Sequence, residues 1–248
     1  MTKKQTISRQ SLLNGEMQRL AENRPGEYRI MSDDVRDQMV ADTLSRAPSK
    51  SEFWVFAYGS LIWNPAIEYE EKIKCILPGY HRSFCFWTVL GRGCEDQPGL
   101  MMGLEPGGEC NGIAYRLNNE NLHTEVDILF RREMISYIYK PTWTTAHCVP
   151  NSNGNGNGNG NGNGNGNETI DVLTFVVDEQ NERFCDDIDE QTLIHAIATA
   201  AGPLGRNCDY LYQLMEHLEE IGFTDQSMSD IANKVRAYQS TQQSEPSD

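Results

Sequence analysis

The sequence lacks the features that mark secreted, membrane-embedded or nucleic-acid-binding proteins. Lys and Arg total 21 against 36 Asp and Glu, so the formal net charge is −15, and no basic patch is present to attract phosphate backbones or anionic lipids. The longest apolar runs fall far short of the roughly 20 residues needed to span a bilayer. The first ten residues contain two lysines without an apolar stretch behind them, so no secretory signal is expected. We therefore expect a cytoplasmic protein with neither nucleic acid nor membrane as a partner.

Cysteine and histidine patterns typical of disulfide frameworks and metal sites are also missing. The seven cysteines are odd in number and include no CxxC pair, and none of the five histidines pairs at a metal-ligand spacing. Free thiols in a reducing compartment are the simplest interpretation. A dinucleotide loop is excluded as well, because Asp96 stands where the third glycine after Gly91 and Gly93 belongs. We therefore predict that the protein needs no metal or organic cofactor.

The order of strands and helices predicts an α+β protein. Predicted strands cover residues 53–58, 72–77, 80–88, 99–104, 111–117, 142–148 and 169–178, and glycine-rich or proline-containing turns at 78–79, 91–93 and 106–108 separate several of them. These short spacings leave no room for crossover helices, so the sheet should be largely antiparallel. Predicted helices cover residues 120–134, 190–201, 208–221 and 227–238. We expect one domain over residues 51–238, with a curled sheet or small barrel and a disordered tail at 239–248.

The first fifty residues are predicted to form a helical extension at the periphery. Ser32 is a favourable residue for the start of a helix, and Val35, Met39 and Leu44 then form a sparse apolar stripe.

Residues 153–166 are seven consecutive Asn-Gly pairs. Asn-Gly strongly favours a tight hairpin, but seven pairs are too many for such a turn. We interpret this tract as a flexible insertion at a hairpin tip, since the entropy of loop closure grows only slowly with length. The alternative is a linker between two domains.

One carboxylate is predicted to face the core. Leu122, Val126, Leu129 and Phe130 define the apolar face of the helix at residues 120–134, and Glu133 returns to that face eleven positions after Leu122. Burial would raise the pKa of this carboxyl group towards the range useful for proton transfer. Alternatively, Glu133 pairs with an arginine at the helix end or turns to solvent.

A second candidate is the junction where the first strand ends. Gly59 permits a sharp turn with open backbone, and successive N–H groups in such a turn can bind an anion. A turn without function is the simpler alternative. Residues 200–207 similarly predict the end of one helix and the start of the next, with Asn207 as a possible cap.

Eight short segments occur in order between residues 54 and 211, and together they are more specific than any one motif. They are WVFAYGSLIWNP at 54–65, PGYHRSF at 78–84, GRG at 91–93, PG at 98–99, GIAYR at 112–116, FRREM at 130–134, AAGPLGRN at 200–207 and YL at 210–211. With these segments the sequence resembles the ChaC-like γ-glutamylcyclotransferases, which cleave glutathione.

The resemblance implies a small, mixed, largely antiparallel β-barrel with flanking helices, and it assigns roles to two segments. It implies that Glu133 is the acid/base. The residues implied to bind the γ-glutamyl end of the substrate are Val55, Phe56, Ala57, Tyr58, Gly59, Ser60 and Leu61. Most members of the family have glycine where this chain has Ala57, whose methyl group either crowds the loop or faces away. Tyr115 and Tyr210 are either phenol donors to the same pocket or core residues.

The implied reaction is intramolecular aminolysis of glutathione, which gives 5-oxoproline and cysteinylglycine. Two alternatives remain at this stage. One is a cyclotransferase for other γ-glutamyl amino acids or amines, and the other is a non-catalytic regulatory binding protein. In each case the expected partner is a small molecule, and no obligate protein partner is evident.

Overall fold

The protein is a closed five-stranded barrel with helices around it, as the computed structural model shows for residues 7–23, 29–150 and 168–244. The barrel strands follow the spatial order β1, β3, β2, β4, β5. Their bounds are β1 Phe53–Ala57, β2 Glu71–Thr88, β3 Gly99–Leu117, β4 Tyr139–Cys148 and β5 Thr169–Val177. Neighbouring strands are antiparallel except for β1 and β5, whose parallel pairing makes the barrel mixed. The predicted α+β class and largely antiparallel barrel are therefore confirmed.

The turns predicted at residues 78–79 and 106–108 are wrong, because β2 and β3 continue through them as paired strands. Pro78 lies opposite Glu109, and the register shifts before Tyr80 pairs with Pro106. Gly79 has φ +80° and Gly107 has φ +101°. A β-bulge requires the same conformational freedom as a turn, so glycine and proline alone do not distinguish the two.

Seven helices and one short two-stranded sheet surround the barrel among the described residues. The helices are α1 Arg9–Leu13, α2 Glu16–Glu22, α3 Asp33–Ser45, α4 Leu122–Glu133, α5 Glu190–Thr199, α6 Asn207–Glu220 and α7 Gln226–Ser244. The short sheet pairs β6 Ala201–Gly202 with β7 Gly205–Arg206. Helix α7 continues beyond its predicted end, so residues 239–244 are helical rather than disordered, and residues 245–248 lie outside the described part.

The N-terminal helices are not peripheral, because all three of them contact α4. Ser32 caps α3 as predicted, accepting a hydrogen bond from the Val35 N–H at 3.4 Å. The predicted apolar stripe is only partly correct: Met39 and Leu44 pack against the core, but Val35 is exposed, and Arg36 and Val40 are the more deeply buried side chains. The Arg36 guanidinium lies 2.7 Å from the Asp127 carboxylate of α4. Hydrophobicity alone did not reveal the face of α3 that packs against α4, because an ion pair contributes to that face.

Strands β4 and β5 form the hairpin that flanks the Asn-Gly tract. His147 pairs with Thr169, so the strands on both sides of the tract belong to the same barrel. This pairing fits an insertion in a hairpin better than a linker between domains. Residues 153–166 themselves lie outside the described residues.

Helix α4 packs its apolar face into the core and ends at the candidate acid/base. Val126, Leu129 and Phe130 are fully buried, and the Phe130 ring meets Phe175 of β5 edge-on at 5.7 Å. These contacts fix the helix against the barrel, so the position of Glu133 is set by the core.

Asn207 joins α6 to the barrel, and its removal tests this junction. Its fully buried amide accepts from the Leu100 N–H at 2.7 Å and donates to the Leu100 carbonyl at 2.8 Å. Asn207→Ala leaves both backbone groups without these partners, so we expect the free energy of unfolding in urea to fall by about 3 kcal/mol. Asn233→Ala, on the exposed face of α7, is the control and should change it by less than about 0.5 kcal/mol. Equal effects would contradict a specific role for Asn207.

Candidate active site

Glu133 lies where the end of α4, the loop after β1 and α6 come together. Its side chain is 17% exposed, and its carboxylate lies 3.0 Å from the Arg132 Nε. The pairing with arginine that the sequence left open therefore exists, and the carboxylate nevertheless lines a cavity. Burial raises the pKa of Glu133, and the adjacent Arg132 guanidinium opposes this shift without cancelling it. The carboxyl group is thus suited to take up and release a proton.

The second guanidinium edge of Arg132 holds the loop after β1. Its Nη2 donates to the Ser60 hydroxyl at 2.8 Å, and its Nη1 donates to the Asn64 carbonyl. Because the same side chain contacts Glu133, Arg132 fixes Glu133 relative to the loop. Arg132 carries no sequence pattern that predicts this role, although it stands inside the FRREM segment.

A glycine is required at position 59 because the Tyr210 hydroxyl lies close to its Cα, and not because of its backbone angles. Its φ is not positive, but an added Cβ would lie 2.7 Å from the Tyr210 hydroxyl. The Ser60 backbone hydrogen-bonds to the same hydroxyl. The loop and α6 therefore meet at Tyr210.

Three tyrosine hydroxyls belong to the same region. Tyr58 donates to the Phe175 carbonyl at 2.8 Å, and Tyr139 donates to the Met102 carbonyl at 2.6 Å. Burial raises the pKa of Tyr58 and Tyr139 well above the ordinary value and that of Tyr210 to about 12. All three phenols therefore stay protonated at neutral pH. Tyr139 was missed because a tyrosine at the start of an ordinary strand carries no distinguishing pattern.

Two adjoining cavities meet at Glu133. The inner cavity, of about 40 Å³, is lined by Tyr58, Gly59, Ser60, Leu61, Met101, Met102, Glu133, Tyr139, Phe175 and Tyr210. The outer cavity, of about 370 Å³, shares five of these residues: Ser60, Met101, Glu133, Tyr139 and Tyr210. A ligand that extends from one cavity into the other would pass the Glu133 carboxylate.

The outer cavity is cationic although the whole chain is acidic. Arg92, Arg132 and Arg183 line it, and Glu133 is the one carboxylate among its described lining residues. The Arg92 guanidinium lies 5.8 Å from the centre of the Tyr210 ring and donates to the Arg206 carbonyl at 3.1 Å. Arg92 is partly buried, and this burial lowers its pKa. Such a cavity is suited to an anionic ligand.

Not every residue predicted for the site reaches a cavity. Val55, Phe56 and Ala57 are buried in β1 and line neither cavity described above, so the Ala57 methyl group does not crowd them. Tyr115 also lines neither cavity. Its hydroxyl lies 3.2 Å from the Leu61 carbonyl oxygen and 3.0 Å from that of Ile62, so it supports the loop from behind.

Residues 200–207 shape the cavity instead of only separating two helices. The Leu204 N–H donates to the Gly91 carbonyl at 3.0 Å, and the Leu204 side chain lines the outer cavity. The expectation that Asn207 caps α6 is wrong, because Arg206 occupies the cap position and the Asn207 side chain binds Leu100.

The described residues were also compared with the requirements of a metal site and of a membrane-spanning helix. Among the described residues, no group of three or more His, Cys, Asp or Glu side chains is placed to hold a metal ion. Within the same part of the chain, no helix combines the length and hydrophobicity that crossing a membrane requires.

The family of the chain follows from its match to a family model. Residues 53–238 match the model described as ChaC-like protein. The chain belongs to the ChaC-like family. The match includes Arg92, Glu133, Arg183 and Tyr210, whereas α1, α2 and α3 of this ChaC-like chain precede it.

Relatives and solved structures agree with this placement. A glutathione-specific gamma-glutamylcyclotransferase of Escherichia coli (strain K12) is 35% identical over 85% of this ChaC-like chain and 84% of its own. Gamma-glutamylcyclotransferase 2-3 of Arabidopsis thaliana is 29% identical, over 74% of this chain and 88% of its own. A crystal structure of a yeast gamma-glutamyl cyclotransferase specific to glutathione matches with a TM-score of 0.66 at 21% identity, over 75% of this chain and 96% of its own. This last likeness concerns the fold.

Proposed function

We propose that this ChaC-like chain is a γ-glutamylcyclotransferase that degrades reduced glutathione to 5-oxoproline and cysteinylglycine. The observation that carries the proposal is the partly buried Glu133 carboxylate at the junction of the two cavities. The name of the Escherichia coli relative, a glutathione-specific gamma-glutamylcyclotransferase at 35% identity, supports glutathione as the substrate. The intact acid/base and loop argue against a non-catalytic binding protein.

The proposed reaction joins two groups of the same substrate molecule. The α-amine of the γ-glutamyl unit attacks its own γ-carbonyl carbon, a C–N bond closes the five-membered ring, and the amide bond to cysteine breaks. Glu133 takes a proton from the amine, which is mainly an ammonium ion at neutral pH, and later donates one to the departing nitrogen. No water is consumed. A pocket that holds the γ-glutamyl chain curled removes much of the orientational barrier.

We assign the γ-glutamyl half of the substrate to the inner cavity and the cysteinylglycine half to the outer one. The inner cavity is lined by residues 58–61, whose backbone could hold the α-carboxylate or the developing oxyanion. The outer cavity offers Arg92 and Arg183 to the glycine carboxylate of glutathione. Substrates without that carboxylate, such as γ-glutamylamines, would forgo this contact.

The direct test is to incubate the purified protein with reduced glutathione and to analyse the products by mass spectrometry. We expect equal amounts of 5-oxoproline and cysteinylglycine. γ-Glutamylalanine, assayed in parallel, distinguishes a broader cyclotransferase. A well-folded protein that leaves both compounds intact would refute the proposed activity.

Arg92 allows a test of how glutathione is oriented. Arg92→Met removes the cation while keeping an apolar chain against Tyr210, so we expect the KM for glutathione to rise about tenfold. For glutathione whose glycine carboxylate is amidated, the same substitution should change KM by no more than about twofold, because the partner charge is already missing. Equal effects on both substrates would show that Arg92 does not bind the glycine carboxylate.

We also infer a cytoplasmic location for this activity. All seven cysteines are free thiols in the structure, which fits a reducing compartment. Measuring the distribution of the tagged protein by cell fractionation tests this inference.

A further inference from the structure

The N-terminal segment contributes to the wall of the outer cavity. Ile7, just before α1, and Met17 of α2 line it together with residues of α4, α6 and the barrel. Both residues precede the part of the chain that matches the ChaC-like family model, which begins at residue 53. Neither lines the inner cavity around the loop after β1.

A buried ion pair attaches this segment to α4. Arg9 of α1 contacts both carboxylate oxygens of Glu125, at 2.6 and 2.7 Å, and the Glu125 side chain is fully buried. The Glu68 N–H donates to the same carboxylate at 2.8 Å. Without Arg9, Glu125 would keep a buried charge with no cation beside it, so the docked position of α1 is strongly favoured.

Two further contacts connect the segment to the active-site framework. The Asn64 side chain donates to the Ile7 carbonyl at 2.9 Å, and the Asn64 carbonyl accepts from Arg132, which contacts Glu133. The Met31 N–H donates to the carbonyl of Ile135, a residue that lines the outer cavity. Ile7 is thereby held at a fixed position relative to Glu133, and Met17 is held by its packing in the hydrophobic core.

We propose that Ile7 and Met17 are specificity-determining residues that contact the cysteinylglycine half of the substrate. This inference rests on the proposed function, which places that half in the outer cavity. The two apolar side chains form part of the wall of the outer cavity and do not line the inner one. They therefore favour the binding of a substrate whose leaving group reaches them. They contribute little to the binding of smaller γ-glutamyl compounds.

Substitutions that shorten or enlarge the side chain of Met17 test the proposal. Met17→Ala removes the contact, so we expect the KM for glutathione to rise about tenfold while kcat changes by less than about twofold. Met17→Leu keeps the volume and should restore a KM close to the wild-type value. Met17→Trp narrows the cavity and should raise the KM for glutathione more than that for the smaller γ-glutamylalanine. Ile7→Ala should resemble Met17→Ala.

Met39→Ala on α3 is the matched control, since Met39 is a partly buried methionine of the same N-terminal region that does not line the outer cavity. It should leave both kinetic constants within about twofold of wild type. Circular dichroism and melting temperature verify that each variant folds. If wild type degrades glutathione but every Met17 variant keeps its KM, the inference is wrong and the proposed function stands. If wild type acts on no γ-glutamyl compound, both the proposed function and the inference are wrong.

Discussion

Glu133→Gln should lower kcat for glutathione by about 10³-fold or more, because it removes the group that we propose moves both protons while keeping nearly the same shape. Substrate binding should be little affected, since the arginines and the loop remain. The measurement is the rate of 5-oxoproline formation under saturating glutathione. Glu120→Gln, an exposed carboxylate just before α4, is the control and should retain full activity. Activity of the Glu133 variant within about tenfold of wild type would refute the assignment.

The same variant should be more stable than wild type at neutral pH. Burial raises the pKa of Glu133 in the folded state, so the fold favours the uncharged form. The stability contributed by this group is fully present below the unfolded-state pKa, about 4.3, and is lost as the pH rises through the higher folded-state pKa. Glutamine carries no charge at any pH. At pH 7 the free energy of unfolding of Glu133→Gln should therefore exceed that of wild type, and this difference should become smaller in acid. A variant that is less stable than wild type at pH 7 would contradict this account.

Core packing was the part of the site that could be predicted from the sequence. The spacing of Val126, Leu129 and Phe130 identified the buried face of α4, and Glu133 follows from the same period. That period could not show that Arg132 would contact both Glu133 and Ser60, since this depends on where the loop after β1 lies. The same face of α4 also buries Glu125, whose partner Arg9 lies 116 positions earlier.

Contacts between distant parts of the chain account for most of what was missed. Tyr139 and Arg183 reach the cavities from separate segments, and neither has a local pattern that sets it apart from other strand or loop residues. The long strands β2 and β3 were divided at residues 78–79 and 106–108 because bulges and turns have the same composition. The N-terminal helices were judged peripheral because their apolar residues are sparse in the sequence. In the structure, the ion pairs of Arg9 and Arg36 and the buried side chains of Leu12 and Val40 attach them to the rest of the fold.

Gly59→Ala should lower kcat/KM by about 100-fold through a steric conflict with Tyr210. The new methyl group would lie 2.7 Å from the Tyr210 hydroxyl, closer than a normal contact. The Tyr210 ring packs edge-on against Trp63 at 5.6 Å and Phe84 at 6.2 Å, so it cannot easily move aside. The loop must shift instead, and a displacement of about 1 Å in an active site is enough for a loss of this size.

Removing the Tyr210 hydroxyl tests directly whether the steric conflict causes the loss of activity. In Tyr210→Phe the nearest remaining atom of the ring is the Cζ, 4.0 Å from the added methyl group, which is an ordinary contact. Tyr210→Phe alone should lower kcat/KM about tenfold, because the Ser60 backbone loses its hydrogen-bond partner. Adding Gly59→Ala to that variant should then change kcat/KM by less than about twofold, so the two substitutions are strongly non-additive. Tyr212→Phe, also on α6 but bonded to Gln239 at 3.0 Å, is the control and should leave activity unchanged. Equal effects of Gly59→Ala in both backgrounds would show that the loop requires glycine for a reason other than Tyr210.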